Sequence, residues 1–344
     1  MAEHELGPKL WNYLTGGSDT ETTLRRNRAA LDEIMLVPRV LRDVSRVDAS
    51  SSLFGLDLRI PVILAPIGSI GLLNPDGAAA SCRAAEAFGI AAGVSVMAKP
   101  SLEELGRSFK GKHIFQLYIE GDEEWVRDIV RRAAASGSFG ALCVTVDTAH
   151  YSRRDRDLQA RFSPAEAIDR PNLAAGPVGK GGYRATFTWD RLERLCSWSE
   201  LPVIVKGILT AEDARSAVNA GASAVYVSNH GGRQLDHAPS SIEMLPEIAG
   251  AVGTATKIIV DSGFLRGTDI LKAVALGASA VGLGKLHGAA LAAGGWKGMV
   301  RALEILEAEL TIAMALTGCP TLSQVSRDVL RPHRLVRAWW GQSR

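Results

Sequence analysis

Eight successive short apolar runs of this sequence each end in a residue that can do chemistry or leave room for it. In chain order these residues are Gly68, Ser95, Gln116 with Tyr118, Thr145 with Asp147, Lys206, Ser228 with His230, Asp261, and Lys285. Any one of them alone has a simpler explanation, because a serine or aspartate can cap a helix and a lysine can extend to solvent. Eight in succession favour one shared site that carries bases, cations and hydroxyls.

Two glycine-rich segments follow the last two of these runs. They read Asp-Ser-Gly-Phe-Leu-Arg-Gly at 261–267 and Gly-Leu-Gly-Lys-Leu-His-Gly at 282–288. Glycine N–H groups, a helix N-terminus and a nearby cation bind phosphate well. Because both segments are rich in glycine and contain a cation, we expect them to bind a phosphate monoester. Each segment taken alone is also compatible with a tight turn.

The spacing of the apolar runs predicts the elements that must position these residues. The runs are continuous rather than alternating, which is typical of parallel strands covered on both faces, and they lie at 62–68, 89–96, 113–119, 141–148, 203–208, 224–230, 257–263 and 280–285. Helical segments at 123–136, 211–220 and 268–276 lie between them. This alternation predicts an α/β fold, a (β/α)8 TIM barrel, in which strand ends converge on one mouth. No GxGxxG follows the first run, which disfavours a dinucleotide-binding sheet.

Two segments interrupt the alternation. Residues 1–60 are predicted to form an N-terminal extension of helix and short hairpin. Residues 149–188, after the fourth strand, are rich in Gly, Pro and Arg and are longer than an ordinary strand-to-helix connection. In a barrel this segment, the lid loop, would hang over the catalytic face as a mobile lid. We find no domain boundary and predict a single domain over 1–344.

Composition excludes several other classes of protein. The chain has 344 residues, of which 47% are hydrophobic and 22% charged, with net charge +2, so it is neither disordered nor a basic nucleic-acid binder. Its four cysteines have no CxxC or zinc spacing, which predicts no metal site and suits a reducing compartment. The first residues do not resemble a signal peptide, and no apolar run is long enough to span a bilayer. We expect a cytoplasmic enzyme.

At 228–236 the sequence reads Ser-Asn-His-Gly-Gly-Arg-Gln-Leu-Asp. This segment resembles the active-site signature of the FMN-dependent 2-hydroxy acid oxidase and dehydrogenase family, which includes glycolate oxidase, lactate oxidase and mandelate dehydrogenase. The resemblance extends from about Tyr13 to Leu330 and includes the segments at 65–66, 115–118, 145–148, 152–154, 201–207 and 266–269. It implies an FMN enzyme that converts an (S)-2-hydroxy acid to the 2-oxo acid.

The resemblance also implies roles for individual residues. His230 would be the base, because an imidazole exchanges protons near neutral pH, and Asp147 would orient the imidazolium. Arg154 and Arg233 would bind the substrate carboxylate through their planar guanidinium groups, and Tyr13 and Tyr118 would bind the substrate through their hydroxyls. A catalytic set of His230, Asp147, Lys206 and Tyr118 is therefore predicted.

The flavin would be bound by a larger set of residues. Lys206 would lie at the N1/C2 edge of the flavin, where a fixed cation raises electron affinity. Other parts of the flavin would contact the backbone of Pro66 and Ile67, the space at Gly68, and the side chains of Ser95, Gln116, Thr145 and Ser228. Asp261 and Ser262 would be near the ribityl chain, with Gly263, Gly284 and Lys285 at the phosphate.

The chain departs from the family at the phosphate end. The family usually has Asp-Gly-Gly-Val-Arg-Arg-Gly where this chain has Asp-Ser-Gly-Phe-Leu-Arg-Gly, so a phosphate-binding arginine is Leu265 here. The usual Gly-Arg after the eighth strand is Gly-Lys, with Lys285. Losing one charged contact to a dianion costs about 1.5–3 kcal/mol. We therefore predict weaker FMN retention than is usual in the family, unless Arg266 turns inward.

Substrate and electron acceptor are left open by the sequence. Met97 and Tyr151 differ from usual pocket residues and favour a 2-hydroxy acid larger than glycolate, such as an aryl-bearing one. Gly68 is compatible with dehydrogenases and with a monooxygenase, so oxygen or another carrier could accept the electrons. The lid loop lacks a long apolar insertion, which predicts no membrane attachment, and the resemblance suggests a homotetramer or homo-octamer. Alternatives are an FMN barrel that oxidises a peptide or natural product, and a phosphate-binding barrel without flavin.

Overall fold

Eight parallel strands form a closed barrel, which confirms the predicted (β/α)8 fold. The structure is a computed structural model and describes residues 1–163, 169–173, 183–254 and 256–332. The barrel strands β4 to β11 are neighbours in chain order, and β11 pairs with β4 to close the ring. The strands are β1 (Ile34–Leu36), β2 (Ser51–Leu53), β3 (Leu56–Leu58), β4 (Val62–Leu64), β5 (Ala91–Ser95), β6 (His113–Leu117), β7 (Phe139–Thr145), β8 (Val203–Ile208), β9 (Ala224–Val227), β10 (Lys257–Val260), β11 (Ala280–Leu283) and β12 (Leu330–Pro332).

Helices cover the outside of this barrel and its mouth. They are α1 (Ala2–Thr15), α2 (Thr22–Asp32), α3 (Ile70–Leu73), α4 (Ala78–Phe88), α5 (Leu102–Ser108), α6 (Glu123–Ala135), α7 (Asp155–Gln159), α8 (Trp189–Trp198), α9 (Ala211–Asn219), α10 (Ser241–Val252), α11 (Gly267–Ala275) and α12 (Lys285–Leu316). Their starts follow local chemistry: Asp122 and Thr210 accept backbone N–H bonds at the starts of α6 and α9, and Ser240 forms a capping box with Glu243. Over the described residues, no helix combines the length and apolar character needed to cross a bilayer.

Most barrel strands end two to four residues before their predicted ends. The first was predicted at 62–68 but is only Val62–Leu64, since Pro66 has no N–H for the ladder. Similarly, β9 ends at Val227 rather than at residue 230, and β10 ends at Val260 rather than at residue 263. Strands β5 and β6 are buried at every residue, as parallel strands covered on both faces should be. Some polar residues of the predicted site therefore lie in the loops just past a strand, as Asp147, His230 and Asp261 do, whereas Ser95, Gln116, Thr145 and Lys206 lie near the ends of the strands themselves.

The N-terminal extension contains the expected helix and hairpin, together with a second helix and a short strand. Strands β2 and β3 form the hairpin, while β1 pairs with β12 near the other end of the described chain. Asp236, the last residue of the 228–236 segment, holds the start of α2, because its carboxylate accepts hydrogen bonds from Thr20 Oγ1 (2.8 Å) and the Thr23 backbone N–H (2.8 Å). The extension is thus attached at the barrel mouth.

The lid loop contains α7 and a short 3-10 turn, Pro171–Leu173, in its described parts. Asn172 attaches this turn to the barrel, since its amide donates to the Val96 (3.2 Å) and Ala98 (3.1 Å) carbonyls and its oxygen accepts from Leu102 N–H (2.9 Å). Residues 164–168 and 174–182 of the predicted lid lie outside the described residues. The single-domain organisation and the mobility of the lid stay predictions.

Candidate active site

His230 and Asp147 form a hydrogen-bonded pair between neighbouring parts of the barrel mouth. His230 follows β9 and Asp147 follows β7, and His230 Nδ1 lies 2.9 Å from Asp147 Oδ1. A carboxylate can only accept here, so Nδ1 carries the proton and Nε2 is left as the acceptor. The His230 backbone has a positive φ of 58° and its N–H donates to Ser228 Oγ at 3.0 Å. Its turn therefore directs the imidazole into the mouth.

The surroundings keep this imidazole neutral and the carboxylate charged. Burial lowers the pKa of His230 below its ordinary value, and although Asp147 opposes this shift, Lys206 and Arg154 add to it. Burial raises the pKa of Asp147, but His230 and Lys206 more than offset that effect, so its pKa is lowered overall. The pair is suited to accept a proton at Nε2 and to stabilise the resulting positive charge.

Gln234 and Gly207 position Asp147, and sequence reasoning assigned neither of them a role. Gln234 Nε2 donates to the carbonyl of Asp147 at 2.6 Å and to that of His150 at 3.1 Å. Gly207 has φ +110°, and a Cβ there would lie 2.6 Å from Asp147 Cβ. A side chain at 207 would therefore displace the carboxylate. The position of Gln234 within 228–236 was the available signal, but its target could not be read from sequence.

Arg154 and Arg233 lie at the same mouth, and each is stacked on a tyrosine. The Arg154 guanidinium carbon is 4.5 Å from the Tyr151 ring centroid, and its Nη1 donates to Tyr151 Oη at 2.7 Å. The Arg233 guanidinium carbon is 4.7 Å from the Tyr13 ring centroid. Burial, and secondly Arg233, lowers the pKa of Arg154, so a bound anion would offset the repulsion between these two cations. Tyr13 Oη accepts from Ser69 Oγ at 2.7 Å.

Tyr118 lines the cavity, and a guanidinium lies over its ring. This guanidinium belongs to an ion pair that was not predicted from the sequence. The guanidinium carbon of Arg184, near the end of the lid loop, lies 4.3 Å from the Tyr118 ring centroid. Arg184 also forms a salt bridge with Glu120, with Nε to Oε1 at 2.6 Å. Burial is the largest cause that raises the pKa of Tyr118, so its hydroxyl stays protonated. The sequence has no periodic pattern where the lid loop rejoins the barrel, so nothing in it predicted this contact of Arg184.

Lys206 is buried among groups from three strands. Its Nζ donates to Ser228 Oγ at 2.6 Å and lies 3.1 Å from Asp261 Oδ2. Burial lowers the pKa of Lys206, but Asp261 and Asp147 outweigh it, and the net shift is upward. A permanently charged ammonium therefore lies at the cavity wall, as the N1/C2 role requires.

Gln116 and Thr145 provide the test of whether a flavin fits. Gln116 Oε1 accepts from Ser95 Oγ at 2.6 Å, while Gln116 Nε2 and Thr145 Oγ1 are buried and have no hydrogen-bond partner among the residues described. Buried polar groups are rarely left unpaired, so a ligand with complementary acceptors is expected. A planar heterocycle with carbonyl and ring-nitrogen acceptors has these groups, so the residues fit FMN.

The phosphate end is also assembled, but with few available cations. Ser262 Oγ donates to Asp261 Oδ1 at 2.9 Å and accepts from the Gly231 N–H at 3.1 Å. Lys285 Nζ donates to the carbonyls of Gly16 (2.7 Å) and Thr15 (3.2 Å) at the end of α1. Burial is the largest cause that moves the pKa of Lys285 well below its ordinary value. This lysine is thus tied to α1 rather than free at the mouth.

The side chains of Leu265 and Arg266, the two residues that bear on FMN retention, face different parts of the molecule. Leu265 lines the cavity and is 43% exposed. Arg266 is 67% exposed and pairs with Glu309, with Nη2 2.5 Å from Oε1. The arginine therefore faces α12, away from the phosphate loops. Weak retention stays a prediction, and this geometry supports it.

One cavity of about 740 Å³ joins these groups. It is lined by most of the predicted site residues, namely Tyr13, Pro66, Ile67, Gly68, Tyr118, Thr145, Arg154, Lys206, His230, Arg233, Asp261, Ser262, Gly263, Gly284 and Lys285. Four predicted residues are not among those that line it, namely Ser95, Gln116 and Ser228, which are buried next to lining residues, and Asp147, which contacts His230. Ser228 in particular is fully buried and bonded to Lys206 and His230, so it positions these groups.

Comparison with known proteins agrees with this geometry. The family model described as FMN-dependent dehydrogenase matches residues 2–332. The chain is 36% identical to glycolate oxidase 3 of Arabidopsis thaliana over 97% of this chain and 96% of that protein. It is 40% identical to a peroxisomal (S)-2-hydroxy-acid oxidase of Oryza sativa subsp. japonica, over 95% and 93%.

Solved structures give the same result. A soluble mutant of the membrane-associated (S)-mandelate dehydrogenase from Pseudomonas putida has a TM-score of 0.91 and 35% identity, with 96% of this chain and 97% of that chain covered. A mandelate oxidase mutant with (S)-mandelic acid has a TM-score of 0.88 and 39% identity, with 96% and 95% covered. The match over nearly the whole length, together with the cavity, establishes that this chain belongs to the family of FMN-dependent 2-hydroxy acid oxidases and dehydrogenases.

Proposed function

We propose that this chain oxidises an (S)-2-hydroxy acid to the 2-oxo acid, with His230 as the base and with Arg154 and Arg233 as the carboxylate-binding groups. The observation that carries the proposal is the imidazole of His230, fixed by Asp147 at 2.9 Å, in the same cavity wall as the two arginines. A base and a carboxylate clamp in one wall suit a substrate whose hydroxyl and carboxylate are on adjacent carbons.

Proton transfer is the task of His230. Its lowered pKa keeps it neutral near pH 7, so Nε2 can accept the proton of the substrate 2-hydroxyl. Asp147 then stabilises the imidazolium through the same 2.9 Å contact and keeps the ring in one orientation.

Substrate orientation is the task of the arginines and tyrosines. The guanidinium groups would bind the carboxylate with paired N–H groups, and each is kept in place by the tyrosine ring beneath it. Tyr118, which stays protonated, would donate a hydrogen bond to the substrate oxygen. These contacts would place the C2 hydrogen towards the centre of the cavity.

The FMN would be held by Lys206, Gln116 and Thr145 at the ring edges and by the 261–263 and 284–285 loops at the ribityl phosphate. When bound, FMN accepts two electrons and the C2 hydrogen of the substrate. Lys206 would stabilise the negative charge that develops at the N1/C2 edge. The acceptor of the electrons would be oxygen or another carrier.

We propose that the substrate bears an aryl or similarly large side chain. Among the proteins similar to this chain are a mandelate dehydrogenase and a mandelate oxidase with (S)-mandelic acid. Gly68 and Met97 lie side by side in the cavity wall, where a Cβ at Gly68 would be crowded, at 3.2 Å from Met97 Cβ, so the absence of a side chain at Gly68 keeps this part of the wall open. Tyr151 adds an aromatic wall to the same cavity. A homotetramer or homo-octamer in the cytoplasm stays part of the proposal.

The test starts from purified, FMN-loaded protein under anaerobic conditions. (S)-Mandelate should bleach the flavin absorption at least tenfold faster than glycolate at equal concentration, and (R)-mandelate should not bleach it. Readmitted air with rapid peroxide release identifies an oxidase, and slow reoxidation identifies a dehydrogenase. No bleaching by any 2-hydroxy acid contradicts the proposed reaction, and preference for glycolate contradicts the proposed substrate.

A further inference from the structure

Tyr226, in β9, is the largest of the fully buried side chains that the structure describes. It stands in an otherwise aliphatic strand, Ala-Val-Tyr-Val, inside the barrel. Its hydroxyl makes no hydrogen bond of standard geometry with the described residues. Burial, and secondly Asp261, raises the pKa of Tyr226 well above its ordinary value, so the phenol stays neutral. A buried phenol in such surroundings costs free energy that an aliphatic side chain would not.

Strand β11 leaves room for the side chain of Tyr226. A Cβ at Gly282, in β11, would lie 1.8 Å from Tyr226 Oη. Only glycine therefore fits opposite the phenol. The barrel interior is thus built to hold a large ring at this position.

The ring of Tyr226 contacts the ammonium of Lys206. Lys206 Nζ lies 4.8 Å from the ring centroid, in addition to its contacts with Ser228 Oγ and Asp261 Oδ2. The negative face of an aromatic ring attracts a cation at this distance. Lys206 lines the cavity, whereas Tyr226 is fully buried and does not, so the ring contacts the ammonium from within the barrel core.

We propose that Tyr226 is a positioning residue that keeps the Lys206 ammonium at the cavity wall and thereby sets the reduction potential of the flavin. The proposal rests on the proposed function, in which Lys206 lies at the N1/C2 edge. Ser228 follows β9 and Asp261 follows β10, so their hydrogen bonds restrain the ammonium from the strand ends. The ring fills the space into which the ammonium could otherwise withdraw. A cation held close to developing negative charge favours the reduced flavin.

The experiment compares wild type, Y226L and Y226F, each loaded with FMN and free of substrate. Y226L removes the ring, whereas Y226F keeps it and removes only the hydroxyl. Two readouts report the charge near the flavin: the two-electron reduction potential, and the dissociation constant of sulfite, which adds to oxidised flavin and leaves negative charge on the ring. Y226L should weaken sulfite binding about tenfold and lower the potential by about 30 mV, the equivalent of a tenfold change for a two-electron couple. Y226F should stay within twofold of wild type.

A double variant separates positioning of Lys206 from a general packing defect. In a K206M background, the further change Y226L should alter sulfite affinity by less than twofold, because no ammonium remains to be positioned. If Y226L does not fold, Y226M replaces it, since methionine fills much of the space without an aromatic face. A sulfite constant within twofold of wild type in the ring-less variant overturns the proposal. So does an equal shift in Y226F, or an undiminished effect in K206M. These measurements use no hydroxy acid, so they fail independently of the proposed reaction.

Discussion

The imidazole of His230 is constrained at its backbone and its ring. Its left-handed φ of 58° is uncommon for a residue other than glycine, and its N–H bond to Ser228 Oγ stabilises that turn. The ring is held by Asp147, whose own position depends on Gly207 and Gln234. A strained backbone at a catalytic base is stable only when its neighbours determine it. The position and orientation of the base therefore depend on at least four other residues.

Replacing Asp147 by asparagine tests this dependence through pH. In the wild type, kcat/KM should rise with pH as His230 loses its proton, with a midpoint below the ordinary histidine pKa of about 6.5, because burial lowers the pKa of His230. Asp147 raises that pKa, so D147N should move the midpoint to lower pH. The plateau should fall about 10²- to 10⁴-fold, since the imidazolium loses its partner.

The measurement is a profile of kcat/KM between about pH 4.5 and 8 on FMN-loaded protein. H230Q gives the rate without any base and sets the floor. A midpoint that moves to higher pH in D147N, or a plateau within threefold of wild type, contradicts the proposed pairing.

Residue types and spacing predicted most of the residues that line this cavity, but not all of their contacts. His230 and Arg233 are recognisable from one nine-residue segment, and Arg154 from another. By contrast, Tyr226 in an apolar strand is indistinguishable from an ordinary core residue in the sequence. Its contact with Lys206 depends on two strands meeting inside a closed barrel, which no local pattern encodes.

At the scale of helices and strands, the sequence predicted which segments form the barrel strands, but it did not predict where most of these strands end. Continuous apolar runs predicted all eight barrel strands because both faces of each strand are buried. The end of a strand depends on where ladder partners stop, and a run such as 224–230 remains unbroken by proline past that point. The lid loop has no period, so its contacts with the barrel could not be predicted.

The pair of Arg184 and Glu120 connects the end of the lid loop to the end of β6. The side chains are only 24% and 12% exposed, and the guanidinium also covers the Tyr118 ring. E120Q removes the charged partner of Arg184 in a partly buried environment, which should weaken the interaction between the lid loop and the barrel by about 1 kcal/mol. We expect the KM of the preferred 2-hydroxy acid to rise about fivefold, because the lid and Tyr118 would be less well placed, with kcat within twofold.

A matched control is available on the outside of the barrel. Arg59 and Glu307 form a similar two-bond pair at 2.7 and 2.8 Å, away from the cavity lining. E307Q removes an equivalent charge and should leave KM within twofold of wild type. Equal effects of E120Q and E307Q would show that the lid contact has no specific role.

The whole molecule is organised around its mouth. Arg233 donates to the carbonyls of Tyr13 (2.5 Å) and Gly16 (3.2 Å), and Lys285 donates to those of Thr15 and Gly16, so two basic side chains of the site hold the end of α1. Cations are favoured at a helix C-terminus. The N-terminal extension, the phosphate loop after β11 and the 228–236 segment therefore meet at one place, and a ligand bound there contacts several distant parts of the chain.

FMN binding energy should consequently appear as stability of the entire barrel. A ligand that binds only the folded state raises its stability according to its affinity, and a closed barrel unfolds without a free edge strand from which to fray. L265R restores a guanidinium at the phosphate end, where Leu265 now lines the cavity and Arg266 pairs with Glu309. The added charged contact should tighten FMN binding by about 1.5–3 kcal/mol, or roughly ten- to hundredfold.

Titration of the apoprotein with FMN, followed by flavin fluorescence, measures this affinity, and thermal unfolding measures its consequence. At equal saturating FMN, L265R should unfold about 2–4 °C above wild type, because about 0.7 kcal/mol is needed per degree for a chain of 344 residues. Without FMN the two should unfold within about 1 °C. L265M, which keeps an uncharged side chain of similar size, should match wild type in both states. Two results would contradict the prediction: an unfolding temperature of L265R that rises equally with and without FMN, or an equal rise in L265M. Either result would mean that packing at position 265, and not charge, stabilises the protein. The phosphate end would then already have the cations it needs.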